Sequence, residues 1–257
     1  MRDRGSFAVA SYTRPMRGVR GAWYDFIRFL AKSLVFWLTG GLKVVGSDNL
    51  PGEGPVIVAA NHLSHLDPPA VACASRRRLT FMARKSLFKN RAFGWLISSV
   101  GAFPVRRGEA DTEAVRLSLR LLGEGRAVLM FPEGTRGDGK SLGPISSGIA
   151  MLASRSGAAV VPVGLVGTHD KLPRGSKSIR RGRVTVVFGS PFTYEEVAEG
   201  ISVPRVARER FAAELTRRIL EACKTGGLEL TASAAESPSR TTPQVDAANE
   251  HPTPESV

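Results

Sequence analysis

The heptapeptide Asn61-His62-Leu63-Ser64-His65-Leu66-Asp67 places two imidazoles and a carboxylate directly after the apolar run Pro55–Ala60. A carboxylate that holds one ring nitrogen of an imidazole in its N–H form leaves the other nitrogen able to take a proton from a hydroxyl. His62 and Asp67 are therefore a candidate general base and its orienting group, provided the chain turns between them. Pro68-Pro69 follows at once, and a proline disfavours helix in the residue before it, so a turn is expected. A plainer reading of the same residues is a turn histidine, with Asp67 capping the next helix. His62 and His65 also suggest a metal pair, but no third cluster of His, Cys or paired carboxylates accompanies them, and no metal is expected.

A second group of chemically capable residues is Phe131-Pro132-Glu133-Gly134-Thr135-Arg136, after another apolar run. An acid, a flexible glycine, a hydroxyl and an arginine at a strand end can bind a phosphate, or order their neighbours through an ion pair. Between the two groups, Arg106 and Arg107 leave the short extended segment Gly101–Val105, and guanidinium groups suit bidentate capture of phosphate. Residues Gly134–Ser141 also match GxxxxGK[ST], the phosphate-cradling loop of nucleotide-binding proteins. That loop must open a helix, and Leu142-Gly143-Pro144 is a poor opening, so the match reads as coincidence. No GxSxG nucleophile elbow occurs, and neither Cys73 nor Cys223 has an activating context.

These groups need a scaffold, and the chain alternates strand-like and helix-like patterns from about residue 55 onward. Strands are expected at Pro55–Ala60, Leu79–Ala83, Arg126–Phe131, Ala158–Val166 and Arg183–Phe188. Helices are expected at Ser86–Val100, Thr112–Gly123 with Asp111 as N-cap, Ser146–Ser156 stopping at Gly157, and Pro204–Lys224. In the last of these Phe211, Leu215, Ile219 and Ala222 share a buried stripe. With 257 residues and 42% hydrophobic content, one α/β domain can bury a full core. Two cysteines so far apart exclude a disulfide framework.

The ends differ in character. Residues 1–20 are basic, with no apolar core for a secretory signal. Trp23 to Val45 carries a helical apolar stripe of Trp23, Phe26, Ile27, Leu30, Leu34 and Trp37/Leu38, with Asp25, Arg28 and Lys32 largely opposite. Its longest charge-free run, Ser33–Leu42, is too short to cross a bilayer, which leaves either a core helix or an interfacial helix with aromatic anchors. From Gly226 the chain is rich in Ser, Thr, Pro and Glu without periodicity, and disorder is expected. That tail nets −4 against +13 for the whole chain, which leaves +17 on residues 1–225. A field of that sign attracts nucleic acid, anionic membrane or phosphorylated small molecules. The basic clusters Ser75–Arg78 and Ile179–Arg183 have no interleaved aromatics, so a nucleic-acid partner is not expected.

Taken together, these segments resemble the glycerolphosphate acyltransferase superfamily, and within it the 1-acyl-sn-glycerol-3-phosphate acyltransferases. The resemblance rests on N-H-x-x-x-x-D at Asn61–Asp67, Gly101-Ala102-Phe103-Pro104-Val105-Arg106-Arg107, Phe131–Arg136, and Val160-Val161-Pro162-Val163. It covers about residues 40–225. Arg84 stands where the family often has lysine, and Arg106 where an acid is common. The resemblance implies a mixed, mostly parallel sheet flanked by helices over residues 46–225. An interfacial segment at 21–45 would precede this domain, and an acidic tail at 226–257 would follow it.

It also implies a mechanism. His62, oriented by Asp67, would deprotonate the sn-2 hydroxyl of lysophosphatidic acid, which attacks an acyl thioester of coenzyme A or acyl carrier protein. Backbone amides near the motif would stabilise the tetrahedral intermediate, and no covalent acyl-enzyme forms. Arg107 with Glu133, Gly134, Thr135 and Arg136 would hold the phosphate, and phosphatidic acid would be the product. No cofactor beyond the acyl thioester is implied. Another lysophospholipid acceptor is the alternative. Because such an acceptor lives in a membrane, Trp23–Val45 would be a monotopic anchor on the anionic, cytoplasmic face of the cell membrane.

Overall fold

The computed structural model of the chain describes residues 18–105, 111–173, 175–176 and 178–233. In chain order its strands are β1 (Leu42–Val45), β2 (Val56–Ala60), β3 (Leu79–Arg84), β4 (Ala102–Val105), β5 (Ala127–Met130), β6 (Ser141–Leu142), β7 (Ala159–Val166), β8 (Val184–Phe188) and β9 (Thr231–Ala232). Its helices are α1 (Gly18–Ala31), α2 (Asp67–Ala74), α3 (Arg91–Ser99), α4 (Thr112–Gly123), α5 (Ser147–Ser156), α6 (Thr168–Lys171), α7 (Tyr194–Ala198) and α8 (Pro204–Gly226). The main sheet runs β1-β8-β7-β2-β5-β3-β4, and β6 pairs with β9 apart from it. Within the main sheet only the β7–β8 pairing is antiparallel. The mixed, mostly parallel α/β architecture is thus the one expected.

Both faces of the sheet are covered, so its central strands are apolar on successive residues and not on alternate ones. Ile57, Ala59 and Val128 point to a core completed by Leu121, Leu152, Phe211, Leu215 and Ile219 from α4, α5 and α8. Val56, Val58, Leu129 and Val161 point the other way, toward Ala70 and Val71 of α2 and toward Phe36. Gly164 in β7 lets α8 lie directly on the sheet, since a Cβ there would sit 2.4 Å from the Ala222 carbonyl carbon. The expected caps are in place: Asp111 accepts from the Ala114 N–H at 3.1 Å, and Ser146 accepts from Gly148 at 3.3 Å. Gly157 ends α5 in the left-handed region, at φ 58°.

Three expectations are corrected. The single helix Ser86–Val100 is broken, because the Asn90 side chain accepts from Phe93 N–H and starts α3 afresh after a 3₁₀ turn at Lys85–Phe88. The N-terminal segment is helical only through α1 and a π-helical stretch at Lys32–Trp37; Leu42–Val45 is the edge strand β1, paired with β8. Glycines 40 and 41, both at positive φ, make that change of direction. Order also continues past Gly226: Leu228 and Leu230 pack on the core, and β9 pairs with β6. The N-terminal apolar stripe, open between a core and an interfacial reading, is not a core stripe. Tyr24 and Phe36 are buried, while Phe26, Phe29, Leu30, Leu34, Trp37 and Leu38 are exposed.

The basic cluster at 75–78 has structural work. Arg77 donates to the carbonyls of Pro51, Gly54 and Gly125, and Arg78 pairs with Asp25 at 2.6 Å. A buried lysine closes the other end of the N-terminal segment. Lys171 Nζ donates to Thr39 O at 3.1 Å and Gly182 O at 2.8 Å, and lies 5.7 Å from the centre of the Phe36 ring.

Candidate active site

His62 follows β2 at the carboxyl edge of the sheet, beside the loop that follows β5. Parallel sheets place their reactive groups at this edge because the loops there are free to vary while the strands beneath are fixed. Asn61 anchors the loop at its root: its side-chain amide donates to Leu165 O at 3.1 Å and accepts from Leu165 N at 2.7 Å, tying the end of β2 to β7. The chain then turns back on itself, as Pro68-Pro69 required. Asp67 begins α2 and is fully buried. Its Oδ2 accepts from Leu63 N at 2.6 Å and Ser64 N at 2.7 Å, and lies 2.8 Å from His62 Nδ1. Two backbone N–H groups make Oδ2 an acceptor, so Nδ1 carries the proton and donates to it. Nε2 is left as the nitrogen that can receive one. The imidazole, with 9% of its side chain exposed, stacks on Phe131 with 4.1 Å between ring centres.

The second motif meets the first through Glu133. Its Oε1 accepts from the backbone N–H of His62 at 2.7 Å, and its Oε2 accepts from Gly143 N–H at 2.9 Å. Gly137 N–H in turn donates to His62 O at 2.8 Å. The carboxylate is wedged against glycines: a Cβ at Gly143 would come within 3.2 Å of Oε2, and one at Gly137 within 3.4 Å. The observed contacts of Glu133 are thus with the backbone at His62 and Gly143. Both oxygens are committed to backbone N–H groups, and a carboxylate repels a phosphate. Burial pushes the Glu133 pKa up to about 7, against the lowering effect of those two hydrogen bonds, and the Asp67 and Asp138 charges raise it further.

The other expected residues are placed as follows. Gly134 makes the tight turn after β5, with φ 68° and its N–H on Phe131 O at 3.0 Å. Thr135 is exposed and Arg136 half-buried on that turn, and among the described residues Arg136 has no carboxylate partner. Arg107, with Arg106, lies outside the described residues, so its position relative to His62 is not part of this geometry. His65 is exposed, in contrast to His62. The P-loop match dissolves: Lys140 and Ser141 donate their amides to Asp138 Oδ1, and Ser141 enters a strand instead of a helix. Burial raises the thiol pKa of Cys73 to about 11 and that of Cys223 to about 12, which leaves neither available as a thiolate nucleophile.

The family model described as Acyltransferase matches residues 41–166, a span that holds the His62 loop and the Glu133 turn together. The chain belongs to this acyltransferase family. The chloroplastic 1-acyl-sn-glycerol-3-phosphate acyltransferase LPAT1 of Arabidopsis thaliana is 30% identical over 176 residues, 67% of this chain and 49% of that protein. The chain thus spans about half the length of that relative. The 1-acyl-sn-glycerol-3-phosphate acyltransferase of Bacillus subtilis is 28% identical over 197 residues, 76% of this chain and 95% of that protein. Among solved structures, the 1-acyl-sn-glycerophosphate acyltransferase PlsC from Thermotoga maritima superposes with a TM-score of 0.66. Its identity is 27%, and the match covers 86% of this chain and 88% of that one.

Sequence reasoning missed the clamp by Glu133, the bridge by Asn61 and the anchor by Lys171. All three act on backbone groups far away in sequence, and no local pattern signals such a partner.

Proposed function

We propose that this protein transfers an acyl group from a thioester of coenzyme A or acyl carrier protein to the sn-2 hydroxyl of 1-acyl-sn-glycerol 3-phosphate, giving phosphatidic acid. The observation that carries the reading is the 2.8 Å contact between His62 Nδ1 and Asp67 Oδ2, which presents Nε2 as a base. His62 Nε2 takes the proton of the acceptor hydroxyl as the oxygen attacks the thioester carbonyl. The imidazolium, stabilised by Asp67, gives that proton to the departing sulfur as the tetrahedral intermediate collapses and the C–S bond breaks, which releases the thiol and restores the base. Phe131 keeps the ring in plane during the proton transfer, and Glu133 fixes the backbone from which the ring projects. Arg107 and Arg136 are the guanidinium groups proposed to hold the acceptor phosphate, beside Gly134 and Thr135.

The acceptor is a membrane lipid, so the enzyme works at a surface. Among the described residues no helix is long and apolar enough to cross a membrane. The exposed aromatic and aliphatic side chains of residues 26–38 support peripheral attachment through this segment, on the anionic cytoplasmic leaflet. No cofactor and no nucleic acid enter this scheme.

The test is thiol release from long-chain acyl-CoA and from acyl carrier protein, with and without lysophosphatidic acid, for the wild type and His62→Ala. Release that requires the acceptor and vanishes in the variant is the expected result. Turnover only with a different lysophospholipid would replace the acceptor. Silence with every donor and acceptor, from folded enzyme in lipid, would sink the reading.

A further inference from the structure

The exposed apolar side chains of the N-terminal segment have counterparts on α3. Phe93 and Trp95 of α3 are 45% and 64% exposed, alongside Phe29 at 66% and Trp37 at 75% on the N-terminal segment. The two elements are joined by Trp23, whose indole N–H donates to Ser99 Oγ at 2.9 Å and whose ring lies 5.9 Å from that of Trp95. A groove of about 920 Å³ runs along this seam, walled by Val19, Trp23, Phe88 and Trp95. Resting on the reading that the acceptor is membrane-borne, we infer that α3 is a second lipid-inserting element, and that α1 and α3 together form one docking face for an anionic bilayer.

Three observations select a bilayer as the occupant. Exposed tryptophan and phenylalanine side chains grouped on two helices suit the interfacial zone of a membrane, where an aromatic ring meets both chain and headgroup. The charge is complementary: from Arg84 to Ser99 the chain carries Arg84, Lys85, Lys89 and Arg91 and no acid, and all four bases are exposed. Each base near an anionic surface adds to attachment. On α1 the only acid, Asp25, is paired with Arg78 and Arg28, while Lys32 is exposed.

Topology gives the face its direction. β3 is parallel to β5, and β5 to β2, so the carboxyl end of β3 lies on the same edge as His62. Helix α3 starts seven residues after β3 ends, so Phe93 and Trp95, in its first two turns, sit toward that edge. β1 is parallel to β8, which is antiparallel to β7, so β1 begins where β2 ends. Trp37 and Leu38, just before β1, therefore lie toward the same edge. Docking through α1 and α3 brings the catalytic edge to the lipid surface, where an acceptor can reach His62 without leaving its leaflet.

The experiment uses vesicles of mixed phosphatidylcholine and phosphatidylglycerol and the full chain. In a Trp23→Phe/Trp37→Phe protein, Trp95 is the remaining tryptophan, and brominated acyl chains are expected to quench its emission. In an otherwise wild-type background, Phe93→Ser/Trp95→Ser is expected to lower vesicle affinity about tenfold or more. Thiol release with a short-chain, water-soluble acceptor should stay unchanged, which separates docking from folding and chemistry. A Leu34→Ser/Trp37→Ser protein tests the N-terminal segment alone. Vesicle binding lost in that variant, with Trp95 unquenched and the α3 variant binding normally, would overturn the inference while leaving the proposed function standing. Vesicle affinity unchanged by Phe93→Ser/Trp95→Ser, together with loss of a concentration-dependent dimer, would assign the face to a second copy and equally overturn it.

Discussion

Two regions of this molecule invert the usual distribution of side chains. At the His62 loop, an imidazole and two carboxylates are buried or nearly so. On the N-terminal segment and α3, Phe26, Phe29, Trp37, Phe93 and Trp95 face solvent. The buried polar groups are held by hydrogen bonds: Asp67 Oδ2 takes two backbone N–H groups and the imidazole, and Glu133 takes one N–H on each oxygen. The exposed apolar groups have no such answer inside the protein. Burying charge is tolerable only when it is paired or hydrogen-bonded, and the first region supplies such partners to both carboxylates, with Asp67 Oδ1 alone of their four oxygens left without one among the described residues. Among the described residues nothing covers the second, which is the face proposed above to meet a bilayer. The proposed reaction at a lipid headgroup would use both: a rigid, desolvated base, and a surface that carries it to the substrate.

The comparison is broken most severely at the base. His62→Ala is expected to lower kcat by about 10²–10⁴-fold, the usual contribution of general-base catalysis, with little change in vesicle binding. Thiol release and vesicle sedimentation on the same preparation would check both halves. A variant still within tenfold of wild type would remove His62 from the mechanism.

Glu133 gives the next largest effect and sharpens the meaning of a buried carboxylate. Glu133→Gln keeps the size but offers only one acceptor oxygen to two N–H groups. A hydrogen bond to a charged group is worth roughly 1.5–3 kcal/mol, so kcat should fall about 10–100-fold. KM for the acceptor should be unchanged, since the side chain is not drawn in contact with phosphate. A raised KM at constant kcat would instead return Glu133 to the phosphate site.

The same residue predicts a pH signature. With its pKa raised from 4.5 to about 7, Glu133 binds more protons folded than unfolded between those values. Folding stability conferred through this group is therefore fully present below about pH 4.5 and is lost as pH rises to about 7. The loss amounts to about 3 kcal/mol at most, from 1.36 kcal/mol per pKa unit. Activity runs the opposite way, because only the ionised form accepts both N–H groups. Urea unfolding of wild type and Glu133→Ala at several pH values measures the difference; parallel curves would refute it.

The smallest effect concerns how α3 is built. Asn90→Ala removes the side-chain cap on Phe93 N–H and should cost about 1 kcal/mol of stability. It should leave turnover of a soluble acceptor intact while weakening vesicle binding slightly, as α3 frays. A thermal melt and a vesicle titration on one variant are enough to test it.

Helix and strand positions were legible wherever the cause is local. Asp111 and Ser146 cap the helices they were expected to cap, Gly157 stops α5, and five strands fall within a residue of their expected ends. The failures also have local form but distant cause. Leu42–Val45 continues an apolar helical run and becomes a strand because β8 offers it a parallel partner more than a hundred residues away. Ser86–Val100 reads as one helix until Asn90 turns its side chain back onto Phe93 N–H.

For the site, residue types and their order along the chain nominated His62 and Asp67 as a pair beside the plainer reading of a turn histidine, and the resemblance of the motif chose between the two. Nothing local determined what Glu133 does. Its partner at His62 lies 71 residues away, and it is reached only because β2 and β5 are neighbours in the sheet. Nor could an apolar stripe on α1 declare whether it faced core or solvent, since periodicity records that a face exists and not what covers it. That choice belongs to packing: α2, Phe36 and Lys171 complete the core on that side of the sheet, and the rest of the α1 stripe is left to face outward with α3.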